Sequence, residues 1–160
     1  MEEVKIRLYN KLDKEQCLLA FKSNVPKFFT IEEIEDFDSF LDMLDAVEED
    51  KNSIIKTSYF VVELNNNIIG CGGLGDKDNK QIVSLAWGLI HNEFHKMGFG
   101  EKLLTYRLAF IKEQFPLFPV VIDTTQYSYK FFEKYGFKTT QITNDYYTVG
   151  MHRYDMVLEN

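Results

Sequence analysis

The sequence predicts a mixed α/β (α+β) domain whose mainly antiparallel, twisted sheet has six to seven strands with about four helices. Three observations predict it. The apolar period switches back and forth between two and three-to-four residues. Three consecutive strand-like runs are separated by turns too short to hold a helix, which implies a meander. One apolar strand then passes through Gly98-Phe99-Gly100 directly into a helix.

Val4 to Tyr9 alternates as a strand does, and residues 12–23 place Leu12, Leu19, Ala20 and Phe21 at near-helical spacing before Asn24 to Pro26 stops that helix. Thr30 and Glu33 are spaced as a capping box. Ile34, Phe37, Leu41, Leu44 and Val47 follow at three- and four-residue intervals, giving a second helix with acids on its other face. The meander comprises Ser58 to Leu64, a tight turn at Asn65-Asn66-Asn67, Ile68 to Leu74, a turn around Gly75 to Asn79, and Gln81 to Ile90. Gly98 to Gln114 is the third helix, with Leu103, Leu104, Leu108 and Ile111 on one side and Pro116 ending it. Phe118 to Ile122 reads as a buried strand, Gln126 to Tyr135 as a short helix with Gly136 as its left-handed cap, and Phe137 to Ile142 and Tyr154 to Leu158 as the last strands. No repeat or linker divides the chain, so residues 1–160 are expected to form one domain.

Among 160 residues, 25 acidic against 18 basic side chains give a formal net charge of −7. Such a surface repels phosphate backbones, and no Lys/Arg stripe with interleaved aromatics offsets that, so nucleic acid is not an expected partner. Fourteen Phe and nine Tyr supply apolar area for an ordered core. The longest apolar run, Ile82 to Ile90, broken by Ser84, is about half a membrane span. The start, Met1-Glu2-Glu3, lacks the basic and apolar segments of a leader, so the expected location is cytoplasmic, with Cys17 and Cys71 as reduced structural thiols.

The stretch that carries chemistry runs from Ile90 to Leu104. Where a strand turns through glycines into a helix, several backbone N–H groups lack intrahelical partners and converge at the positive end of the helix dipole. A pyrophosphate can be held there, and Gly98 and Gly100 permit close approach. Read alone, this is equally an ordinary turn. His91, Glu93 and His95 alternate and so mimic a metal site, but the chain is already turning there and no metal is expected.

About thirty residues later comes Phe131-Phe132-Glu133-Lys134-Tyr135-Gly136-Phe137. Together with the glycine turn, this resembles the GNAT superfamily of acyl-CoA-dependent N-acetyltransferases. The family signature Gln/Arg-x-x-Gly-x-Gly/Ala falls on His95, Gly98 and Gly100, with His where Gln or Arg is usual. Thr124-Thr125-Gln126 and the tail from Gly150 to Met156 look like a bacterial subgroup.

The resemblance implies a GNAT-like sheet splayed between the Gln81 to Ile90 strand and the Phe118 to Ile122 strand, with acetyl-CoA in the cleft. Its pantetheine would pair with the free edge of Leu89 and Ile90, and its pyrophosphate with N–H groups of Lys96, Met97, Gly98, Phe99, Gly100 and Glu101, Lys96 and Lys102 adding charge. Gln126 and Phe132 belong to the same implied cofactor set. A positioned amine would attack the thioester, and an acid would protonate the departing thiolate. The family's usual acid, a Tyr, is here Phe132, so Tyr129, one helical turn earlier, is the substitute candidate, beside Tyr127, Ser128 and solvent.

Asp123 ends a strand where open sheets place ligands, and so either binds the incoming amine or caps a turn. His152 and Arg153 either line the acceptor pocket or form a solvated pair. Trp87 reads as core or cleft wall, and Glu32, Glu33, Glu35, Asp36 and Asp38 as a solvated face on helices that in this family cover the acceptor. The implied activity is acetyl transfer to a primary amine of a small molecule or peptide. The alternatives are a CoA-binding sensor module without turnover and a phosphate-ligand domain unrelated to CoA. A homodimer is common in this family, with Tyr146, Tyr147 and Tyr154 as candidate interface aromatics.

Overall fold

The computed structural model describes residues 3–46 and 55–159; Met1, Glu2 and the Val47 expected to end the second helix lie outside them. Seven strands form one sheet in the order β1-β2-β3-β4-β5-β7-β6. In chain order the elements are β1 (Val4–Leu8), α1 (Lys14–Lys22), α2 (Glu32–Asp45), β2 (Ser58–Leu64), β3 (Asn67–Asp76), β4 (Val83–Ile90), α3 (Phe99–Gln114), β5 (Val120–Thr124), α4 (Tyr129–Glu133), β6 (Lys138–Thr148) and β7 (Met151–Leu158). All pairings are antiparallel except β4 with β5.

Strand alternation sorts the core into two layers. Tyr59 and Val61 of β2 face α1 and α2, where Cys17, Ala20, Phe21, Phe37 and Leu41 pack with Cys71 and Leu89. Phe60 faces the opposite way, into a cluster with Leu74, Val83, Leu85, Leu104, Ile111, Phe132 and Met156 beneath α3 and α4. The expected capping box is reciprocal: the Thr30 N–H donates to Glu33 Oε1 at 3.0 Å, and the Glu33 N–H to Thr30 Oγ1 at 3.3 Å. Asn65 and Asn66 both take positive φ, as a two-residue hairpin turn between twisted strands requires.

Four sequence expectations need correction. Leu12 lies in a 3-10 turn before α1 and is 84% exposed, and Leu19 is exposed as well; the buried stripe of α1 is Cys17, Ala20 and Phe21. The fourth helix is shorter than expected, because the Ser128 and Tyr129 N–H groups both bond back to Thr125 O and the chain turns there first. β6 and β7 extend far past Ile142 and before Tyr154, meeting at the pair Thr148↔Met151 across a turn at Val149-Gly150, although Asn144 and Asp145 are turn formers. Asp123 lies within β5, opposite Asp155, and caps no turn.

The site is positioned by what β4 does not pair with. Its contact with β5 is confined to Val83↔Val120 and Ser84↔Val121. From Leu85 to Ile90 the two strands have parted, so the sheet is splayed there. On its other side β4 carries an extra residue, since Cys71 pairs with Leu89 but Gly73 with Ala86. The bulge falls at Trp87-Gly88, and Trp87 takes a left-handed φ of 43°.

Candidate active site

β4 reaches α3 through a short path in which Lys96 and Gly98 adopt φ of 62° and 88°. The first bond of α3 runs from the Lys102 N–H to Gly98 O at 3.1 Å, so the N–H groups of Phe99, Gly100 and Glu101 have no acceptor within the helix. The N-cap residue is Gly98, which has no side chain to cap them. A Cβ on Gly98 would meet nothing within 4 Å, so the space on that side of the bend is open. Phe99 is buried with Leu103 and Phe94 and anchors the bend from below. Lys96, Met97, Glu101 and Lys102 are exposed around it, and a Cβ on Gly100 would lie 3.9 Å from Phe131 Cζ.

His95 does not point at this bend. Its Nε2 donates to Ile90 O at 2.8 Å, and Asn24 Nδ2 donates to the same carbonyl at 3.0 Å. The His91 N–H bonds to Ile69 O on β3, so strand alternation turns the Leu89 peptide toward β3 and that of Ile90 toward the splay. Ile90 is therefore the open-side residue of the expected pair, with its carbonyl already engaged. His91 Nδ1 accepts the Glu93 N–H, and among the described residues no group of three His, Cys, Asp or Glu side chains is arranged to hold a metal.

Across the splay, Phe132 is buried against Phe137 and offers no proton. Tyr129 stacks on Tyr154 with ring centroids 4.2 Å apart, both rings half-buried. The Phe28 ring lies 5.3 Å from that of His95 and 5.5 Å from that of Tyr127, linking the β4 and β5 sides of the cleft. Gln126 is committed to the hairpin: its amide donates to Gly150 O at 2.6 Å and accepts the His152 N–H at 2.9 Å.

The far half of the sheet leaves one face uncovered. There Asp123 accepts from the Tyr147 hydroxyl at 2.8 Å and lies 3.9 Å from Arg153, which pairs with Asp155 at 2.9 Å. A shallow cavity of about 360 Å³ lies alongside, lined by Val121, Gln141, Arg153 and Asp155 among others. Burial, then the Asp123 carboxylate, hold the Tyr147 phenol well above its ordinary pKa. Glu33 belongs to the same electrostatic neighbourhood: burial raises its carboxyl, with Asp36 and Asp123 adding to the rise and the Thr30 bonds opposing it. Of these, Tyr147 as the partner of Asp123 is absent from the sequence reading. Asn24 enters there only as a helix stop, and Phe28 not at all.

A sequence model of the acetyltransferase (GNAT) domain matches residues 26–160. The chain belongs to the GNAT acetyltransferase family. Among solved structures, this GNAT chain is similar to the ribosomal-protein-S18-alanine N-acetyltransferase of Escherichia coli (TM-score 0.76, 12% identity, covering 98% of this chain and 93% of that one). It is also similar to a GNAT family acetyltransferase of Elizabethkingia anophelis solved with acetyl-CoA bound (0.67, 18%, 98% of each chain) and to one of Streptococcus pneumoniae (0.71, 19%, 97% and 98%). At these identities the likeness is one of fold. No curated protein matches the chain by sequence.

Proposed function

We propose that this GNAT protein carries an acetyl group from acetyl-CoA to a primary amine of a small molecule or peptide, by direct attack in a ternary complex. The observation that carries this reading is the uncapped start of α3 beside a β4 edge that β5 has released. The N–H groups from Lys96 to Glu101 would receive the pyrophosphate, with Lys96 and Lys102 supplying charge and His95, through Ile90 O, holding the bend to its strand. The pantetheine arm would lie along Leu89 and Ile90 and pass Phe132. That the Elizabethkingia relative binds acetyl-CoA supports the donor.

Held near the thioester, a neutral amine reacts largely through positioning. Asp123, with Glu33 nearby, would draw the amine to the uncovered face, and Tyr129 is the proposed proton donor to sulfur, with solvent as the other source. Gln126 acts through the hairpin that it holds. A cytoplasmic setting and a homodimer through the exposed Tyr146 belong to the same proposal, which includes neither nucleic acid nor membrane. No described helix is long and apolar enough to cross a bilayer.

A second reading is favoured by one observation, the apolar Phe132 at the usual acid position: a CoA-binding module without turnover. Calorimetry with acetyl-CoA and CoA, followed by thiol release against an amine panel, separates the two. Binding with turnover supports the enzyme, and binding alone supports the module. Binding of neither overturns both.

A further inference from the structure

α3 carries a charge into the core. Arg107 lies on the buried stripe with Leu103, Leu104 and Ile111 and is 3% exposed. Its Nη1 donates to Gly73 O at 3.3 Å, its Nε has no partner, and among the described residues no carboxylate pairs with it. The titratable groups facing it are Tyr59 of β2 and Cys71 of β3. Burial keeps Tyr59 protonated, and its hydroxyl donates to Trp87 O at 2.7 Å. Burial pushes the guanidinium down to about 10, which leaves it charged near neutrality.

What the guanidinium faces is β4. A Cβ on Gly88 would stand 2.7 Å from Nη2, and one on Gly72 3.3 Å from Cζ, so the charge lies where side chains at these two positions would have been. Gly88 is exposed, next to Trp87 in the bulge, on the stretch of β4 that β5 does not cover. The guanidinium is thus buried directly behind the peptide of a residue that opens on the cleft.

We propose that Arg107 is the positive charge that stabilises the sulfur anion released in acetyl transfer, acting across the Gly88 peptide without touching the substrate. The inference rests on the acetyl-CoA reading above. In that step the amine lone pair forms the C–N bond and the C–S bond breaks. Sulfur leaves with the bonding pair as thiolate, and the ammonium proton passes to solvent. A neutral Phe132 cannot offset the charge on sulfur, whereas a cation in a low-dielectric layer acts over several ångströms with little screening. Tyr129 or solvent then delivers the proton.

The test compares CoA, which has a titrating thiol, with acetyl-CoA, which has none. In the parent protein the thiol of bound CoA, followed by ultraviolet thiolate absorbance, is expected to titrate about one pH unit or more below that of free CoA. Arg107→Met should return it to the free value and weaken CoA about tenfold above that pH, with a smaller change for acetyl-CoA. Arg107→Lys should keep most of the shift, which a purely structural role would not do. If Arg107→Met does not fold, Gly88→Ala, which drives a methyl into Nη2, is compared with Arg107→Lys in its place. An identical thiol pKa in the parent and in Arg107→Met, or in the parent and in Gly88→Ala where that variant stands in, with both ligands bound, overturns this inference alone. Absence of binding of either ligand to the parent overturns the acetyl-CoA reading, and this inference with it.

Discussion

The Tyr147 hydroxyl donates to Asp123 at 2.8 Å, tying the β6 arm of a long hairpin to β5, although the two residues stand 24 positions apart. The bond leaves Asp123 exposed while fixing its direction. If Asp123 draws the amine, Tyr147→Phe should raise the acceptor KM about tenfold or more, the value of one lost hydrogen bond to a charged group, with the acetyl-CoA KM unchanged. Steady-state kinetics with each substrate varied separately checks this, and a shift in both constants would point to general damage.

Gly98 provides a separate handle on the donor site. Because a Cβ there meets nothing within 4 Å, Gly98→Ala has no steric cost and pays only for φ of 88°, about 1–2 kcal/mol. Relaxing that strain would tilt the free N–H groups of Phe99 to Glu101. The expectation is a Tm lower by several degrees with an acetyl-CoA affinity about tenfold weaker by calorimetry, and partial recovery in Gly98→Asn, since Asn tolerates the left-handed region better.

The donor half of this site is legible in the sequence because its parts are local: a strand, two glycines and a helix within fifteen residues, and Gly136 ending α4 at φ of 96°. The acceptor half is not. Tyr147 meets Asp123 only through the order β5-β7-β6, which no local periodicity encodes. Asn144 and Asp145 are turn formers by composition, yet pairing resumes beyond them at Thr148↔Met151, and the hairpin turns only at Val149-Gly150, where Gly150 takes φ of 85°. Leu12 and Leu19 look like core until the 3-10 turn ahead of α1 rotates the stripe toward Cys17. Arg107 did leave a signal, a charged residue three positions after Leu104 and four before Ile111, facing glycine-rich β3.

Tyr129 is stacked face to face on Tyr154 and so is held in one orientation. As proton donor to sulfur it should be worth roughly a hundredfold or more in kcat. Tyr129→Phe keeps the stack and removes only the hydroxyl. Turnover lowered in that range with an unchanged acetyl-CoA KM is the expected result; turnover unchanged across pH assigns the proton to solvent.

Stability has its own pH signature at the other end of the sheet. Asp13 accepts from Arg7 through both oxygens at 2.8 and 2.9 Å and from the Asn10 N–H at 2.9 Å. Burial alone would raise its pKa, but these bonds prevail and hold the carboxyl below its ordinary value. A folded pKa below the unfolded value of about 3.9 means that the native state binds the proton less readily. The stabilisation is therefore fully present above that unfolded value and is lost as pH falls through the lower folded one. Asp13→Asn should cost about 2 kcal/mol by denaturant unfolding at pH 7, because a neutral amide cannot receive the guanidinium through both atoms. The gap between variant and parent should stay constant down to about pH 5 and narrow below it, as the parent takes up the proton that the variant never binds. A gap that persists undiminished at pH 3 would mean that packing around the 3-10 turn, and not the charge, holds β1 to α1.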